Sequence, residues 1–212
     1  MQNNFQFIAE QLVSAGRALH GLGMVPATSG NFSALLDDGN IAITVSGAHK
    51  GKLGVSDIMI IKPDGLALDN RKSSAETGLH LQLYRRFPAV KAILHPHSQA
   101  ATLTAHMQQD KIVLKAYELL KAFSGISTHK TSLVVPIFDN DQDITRLARV
   151  VDMYMESNTP VHAYIIRGHG FYCWADSITA ALRHCEALEF LLQCEFKKAL
   201  NKSIQDLSEH VK

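Results

Sequence analysis

The sequence predicts an α/β fold in which helices flank a largely antiparallel central sheet. Short β-branched runs bounded by Gly, Asp and Pro are mixed irregularly with amphipathic stretches, not in the regular βαβ order that a parallel sheet requires. No glycine-rich dinucleotide turn follows any of these runs. Late in the chain two apolar runs, 162–166 and 171–174, are separated only by Arg167 and Gly168-His169-Gly170, so the second turns back beside the first. The 212 residues, 46% of them hydrophobic and 19% charged, suit one domain with a sizeable core, read here as 1–203, before a polar tail over 204–212 that is expected to fray.

Phe5, Ile8, Leu12, Ala15 and Leu19 recur at helical spacing and stop at Gly21 and Gly23, giving an opening helix. Runs 41–45 and 58–61 read as strands. A helix begins at Ser74, or at Thr77, with Leu79, Leu83 and Phe87 inward, and Pro88 ends it. A buried strand over 90–94 follows, then a helix over 98–107, a short one over 116–123 and a strand over 133–137. Ile144, Leu147, Ala148, Val151 and Met155 mark another helix, closed by Asn158 and Pro160. The last helix, from Ser177 to about Asn201, carries a stripe through Ile178, Leu182, Cys185, Leu188, Leu192, Phe196 and Leu200.

Charge excludes several classes of function. With 21 basic against 20 acidic side chains there is no general attraction to nucleic acid or to an acidic membrane, so any anion site is local. The opening segment lacks a charged region followed by an apolar core, and no apolar run reaches about eighteen residues. Cys173, Cys185 and Cys194 stand singly, consistent with a reducing compartment. A soluble, cytoplasmic protein is expected.

The chemistry-bearing pattern is His95-Pro96-His97 followed by Gly168-His169-Gly170. In an extended segment His95 and His97 point the same way, and Pro96 holds the pair out of helix. His169, between two permissive glycines, supplies a third imidazole. Three protein ligands with one position left open are the donor set of a catalytic zinc site. Two small-residue loops, 28–33 and 46–52, together with Ser73 and Ser74 before a helix, offer hydroxyls and N–H groups that suit a phosphate.

Taken in order, Ser29-Gly30-Asn31, Ser46-Gly47, Ser74 with Glu76, His95-Pro96-His97 and Gly168-His169-Gly170 resemble the class II aldolase/adducin family over nearly the whole chain. The resemblance implies its three-layer fold, one zinc per subunit on His95, His97 and His169, and an anion pocket on Asn31, Ser46, Gly47 and Ser74. Ala75 separates Ser73-Ser74 from Glu76, a departure from the aldolase branch, for which Lys50 is expected to compensate. Glu76 stands where the family's aldolases keep an acid/base carboxylate. The strings around 46–51, 75–80, 117–121 and 135–144 are most similar to the family's dehydratases, which implies Glu118 as acid/base and Glu76 as the second candidate. Thr77 stands near the position where some members supply a fourth ligand, so water or Glu76 is expected to complete the shell. The implied substrate is a small sugar phosphate, acted on by a homotetramer with pockets at subunit interfaces. An aldolase or 4-epimerase is the rival reading; a non-enzymatic, adducin-like module is disfavoured by the intact histidines.

Overall fold

The computed structural model describes residues 2–158 and 160–210. In chain order the elements are α1 (Gln2–Gly21), β1 (Asn31–Leu35), β2 (Ile41–Thr44), β3 (Ile58–Ile61), α2 (Thr77–Arg86), β4 (Ala92–His95), α3 (Gln99–His106), β5 (Lys111–Lys115), β6 (Ser132–Phe138), α4 (Ile144–Ser157), β7 (Ala163–Ile166), β8 (Gly170–Ala175) and α5 (Ile178–His210). The strands form one sheet in the order β3-β2-β1-β4-β8-β7-β6-β5. Every neighbouring pair is antiparallel except β6 and β7, whose parallel pairing needs the crossover that α4 provides. The sheet is therefore mixed but mainly antiparallel, with helices on both faces.

Alternation along the strands divides the core. Phe32, Ala34, Ala92, Leu94, Phe171 and Cys173 pack on one face beneath α1, α3 and α5, where Leu12, Leu19, Ala101 and Leu188 meet them. Ile93, Tyr164, Tyr172 and Trp174 pack on the other, against Leu79 and Leu83 of α2 and Leu147, Val151 and Met155 of α4. The same two-residue period sends Asn31 and Ser33 of β1, and His95 of β4, toward the α2 side. Asn31 is directly opposite His95 in the β1/β4 register, so the sheet itself joins the first loop region to the histidine pair.

Several boundaries differ from the sequence expectations. Residues 31–33, read as loop, belong to β1: the polar members of its alternation are buried too, so it carries no polar, solvent-facing side to betray a strand. β5 was not expected as a strand; it is an edge strand whose inward Ile112 and Leu114 alternate with exposed Lys111, Val113 and Lys115. α2 starts at Thr77, because the Ser74 hydroxyl is engaged in the preceding turn, accepting the Glu76 N–H at 3.2 Å. The 116–123 segment forms a 3-10 turn, Glu118–Ala122. α5 continues past Asn201 to His210, so the 204–210 stretch is helical; residues 211 and 212 lie outside the described residues. Its buried stripe ends at Leu192, and Leu200, Ile204 and Leu207 are exposed.

Candidate active site

β4 delivers His95 at its end, and the chain leaving it is clamped from two sides. The His97 N–H donates to the Met24 carbonyl at 2.9 Å, and the Phe171 N–H donates to the Pro96 carbonyl at 3.1 Å. The β7–β8 turn brings His169 against this segment because Gly170 has no side chain. A Cβ there would lie 2.2 Å from the Pro96 oxygen and 3.0 Å from the His97 Cα. Gly30, at φ +78°, makes a similar approach, since its Cβ would sit 2.6 Å from the His95 oxygen. Gly170→Ala is therefore expected to displace His97 from His169 and to lower the bound-metal content of purified protein about tenfold or more, as measured by elemental analysis.

The three imidazoles and one carboxylate converge. Ligand atoms of Glu76, His95, His97 and His169 all lie within 4.8 Å of one another. His169 Nε2 is 3.0 Å from His97 Nε2 and 3.4 Å from His95 Nε2, while the Glu76 oxygens are 3.3 Å from His95 Nε2 and 3.0 Å from His169 Nε2. Donor atoms about 2.0–2.2 Å from a tetrahedral ion stand about 3.3–3.6 Å apart, so these spacings suit one cation. Orientation agrees: His95 Nδ1 lies 2.8 Å from the Phe171 carbonyl, where it donates, and this leaves the Nε2 lone pair facing the cluster. Tyr172 stacks beneath His95, ring centroids 4.0 Å apart. Burial, reinforced by the neighbouring His95 and His169, pushes His97 down to about 3, so its imidazole is neutral near pH 7. Burial acts to raise the Glu76 pKa, but His95 and His169 beside it outweigh that and hold the carboxyl well below the usual range. Glu76 Oε1 and His169 Nδ1 are buried without hydrogen-bond partners. Three converging imidazole nitrogens and an anionic carboxylate form a donor set that fits a divalent transition ion.

A cavity of about 300 Å³ opens beside the cluster, lined by Asn31, Ser46, Gly47, Ser74, Glu76 and His97 among others. Four of the residues expected to bind phosphate are thus brought together next to the metal-binding cluster. Lys50 is not among them. It is 1% exposed, and its ammonium donates to the Thr28 carbonyl at 3.2 Å and the Ala48 carbonyl at 2.7 Å, tying the two loops together from behind. Burial pulls its pKa down to about 8, against an opposing pull from Asp57. A lysine whose pKa falls on folding holds fewer protons folded than unfolded between about 8 and 10.5, so its contribution to stability rises with pH across that window. Wild type is expected to gain stability relative to Lys50→Met between pH 8 and 10, measured by denaturant unfolding at both values.

Glu118 does not reach this site. Its side chain is 71% exposed on the 3-10 turn and pairs with Lys121 at 2.5 Å and His129 at 3.3 Å. Among the described residues the carboxylate at the cluster is Glu76. Sequence reasoning missed His80, which lies behind it and is fully buried. Its signal was a polar residue on the inner face of α2 between Leu79 and Leu83.

The family model for the class II aldolase and adducin N-terminal domain matches residues 10–196. The chain belongs to the class II aldolase and adducin family. Among relatives in this family, a methylthioribulose-1-phosphate dehydratase of Methylococcus capsulatus is 56% identical over 191 residues, spanning 90% of this chain and 94% of that one. A protein of the same name from Pseudomonas aeruginosa is 48% identical over 199 residues, spanning 93% and 97%, and one from Sorangium cellulosum is 46% identical over 195 residues, spanning 90% and 92%. Solved structures share the class II aldolase fold. A putative aldolase/epimerase/decarboxylase from Escherichia coli aligns with a TM-score of 0.78 at 24% identity over 91% of this chain and 89% of that one. L-fuculose-1-phosphate aldolase from Thermus thermophilus aligns with a TM-score of 0.71 at 20% identity over 92% and 96%. Among the described residues no helix is long and apolar enough to cross a membrane.

Proposed function

We propose that this chain is a zinc-dependent hydro-lyase that removes water from 5-methylthioribulose 1-phosphate to give 2,3-diketo-5-methylthiopentyl 1-phosphate, the dehydration step of methionine salvage. One observation carries the reading: a three-imidazole, one-carboxylate cluster opens onto a cavity lined by hydroxyls and N–H groups. The relatives named methylthioribulose-1-phosphate dehydratase, matched over nine-tenths of the chain, select the substrate.

His95, His97 and His169 would hold the zinc, with Glu76 beside them. When bound, zinc supplies a Lewis acid for the negative charge that builds on the C2 and C3 oxygens. Ser46, Gly47 and Ser74 hold the phosphate through N–H and O–H donors, with Asn31 in the same lining bracing Ser74 and the buried Lys50 fixing the loops behind them. Elimination then needs a carboxylate that takes the C3 proton and delivers it to the departing C4 hydroxyl as water leaves; the resulting enol tautomerises to the diketone. Glu76 is committed to His95, His169 and Asn31. We assign the proton shuttle to Glu118, supplied by the neighbouring protomer of a homotetramer with its pockets at subunit interfaces. Free thiols at Cys173, Cys185 and Cys194 agree with a reducing, cytoplasmic setting.

Glu76 at the cluster is the observation that favours the rival aldolase or 4-epimerase reading. Product mass separates the two: incubation of zinc-loaded protein with 5-methylthioribulose 1-phosphate is expected to yield one product lighter by a single water. Cleavage into smaller fragments, or isomerisation without mass change, would sink the dehydratase reading.

A further inference from the structure

A line of buried polar groups runs from the cluster into the body of the protein. Asn31 Nδ2 lies 2.6 Å from Glu76 Oε2 and 3.2 Å from Ser74 Oγ, so one amino group ties the metal-binding carboxylate to the phosphate-side hydroxyl. The other end of that amide, Asn31 Oδ1, is 2.5 Å from His80 Nε2. His80 Nδ1 is 2.7 Å from Ser33 Oγ, and Ser33 Oγ is 2.8 Å from the Tyr84 hydroxyl. His80 and Ser33 are fully buried, and the Tyr172 ring packs edge-on to His80 with centroids 5.6 Å apart.

The chemistry of the end groups fixes the direction of every bond. A carboxylate only accepts, so the Asn31 amino group faces Glu76 and its oxygen faces His80. An amide oxygen also only accepts, so His80 carries its proton on Nε2. Burial keeps this imidazole neutral, pushing it down to about 3, and Nδ1 is therefore an acceptor that takes the Ser33 hydroxyl proton. Ser33 has then used its one hydrogen and accepts from Tyr84. All donors point toward Glu76: Tyr84 to Ser33, Ser33 to His80, His80 to Asn31, Asn31 to Glu76. Aligned hydrogen bonds polarise one another, and the amide in the middle makes this a line of orientation, not a path for protons.

We propose that His80, backed by Ser33 and Tyr84, is a positioning residue that fixes the Asn31 amide and through it holds Glu76 on the His95/His97/His169 cluster and Ser74 on the phosphate side. The inference rests on the metal-centre reading above. Without His80, Asn31 can turn over end for end, setting a carbonyl oxygen against a carboxylate. The helix and strand involved explain the spacing: Asn31 and Ser33 share the α2-facing side of β1, and His80 and Tyr84 are one turn apart on α2.

Cobalt(II) titration of the metal-free full-length protein, read by its visible absorption band and by competition with a chelator, tests this without recourse to turnover. His80→Leu is expected to weaken cobalt binding about 10- to 100-fold and to alter the band. His80→Gln, whose amide can still donate to Asn31 Oδ1, is expected to restore affinity to within about threefold. In an Asn31→Ala background His80→Leu should weaken binding no more than about threefold further, because the line is already cut. Ser33→Ala and Tyr84→Phe, each removing one hydroxyl from a packed site, are expected to weaken binding by a few-fold and keep the proposal testable if His80→Leu does not fold. Wild-type affinity and spectrum in Ser33→Ala and His80→Leu would overturn the positioning role alone, as would an undiminished His80→Leu penalty in the Asn31→Ala background. Failure of the wild-type protein to bind cobalt would instead overturn the metal-centre reading, and this proposal with it.

Discussion

His97→Ala is expected to lower kcat/KM for dehydration by about 10³-fold or more, while leaving the folded chain intact. Lewis-acid stabilisation is worth several kcal/mol, and each 1.4 kcal/mol is about a factor of ten in rate. His97 contributes one of three converging Nε2 atoms, 3.0 Å from that of His169, and no other histidine of the described residues stands in the cluster to replace it. The residue lies beyond the end of β4, partly buried but outside the apolar core, so truncation opens no core cavity and the thermal unfolding midpoint of the metal-free protein should move little. Kinetics paired with thermal unfolding check both halves. A large loss of folded stability in the metal-free variant would mean that His97 is a packing residue first.

Glu118→Gln is expected to cost about 10²- to 10⁴-fold in kcat with zinc still bound, the range typical of a lost general acid/base. The exposed position of Glu118, away from its own chain's cavity, makes the sharper form of this prediction a mixing experiment. Glu118→Gln chains retain the histidines and His97→Ala chains retain the glutamate. If Glu118 serves a neighbour's site, co-assembled equal mixtures should regain roughly one quarter of wild-type activity, since each site needs a good chain of both kinds at one interface. No recovery, with Glu76→Gln the more damaging single substitution, would move the proton shuttle to Glu76. Hydrodynamic size matching a single 23.4 kDa chain would remove the neighbour altogether.

Much of the site was legible because it follows from short-range geometry. A two-residue period at a strand end puts His95 and His97 on one side, and a glycine-flanked turn lets His169 approach, so the triad could be read without a fold. The 58–61 strand was legible as a short β-branched run between Asp57 and Pro63, and α2 and α4 by their own apolar periods. What escaped depended on long-range contact. Asn31 and Ser33 are polar on a buried strand face, so β1 looked like a loop until β4 and α2 are placed around it. Lys50 beside a phosphate-type loop suggested an anion contact, yet its ammonium turns inward to two backbone carbonyls. The Glu118 motif could be recognised, but no local pattern tells which site an exposed side chain serves.

The most direct test of the central claim is a zinc titration of metal-free protein, with bound zinc and the dehydration rate followed on the same samples. The account predicts no dehydration without metal, a rate that rises linearly and breaks at one zinc per chain, and neither binding nor rate in His97→Ala. Full dehydration by metal-free protein, or stoichiometric zinc binding and activity that survive loss of His97, would contradict it.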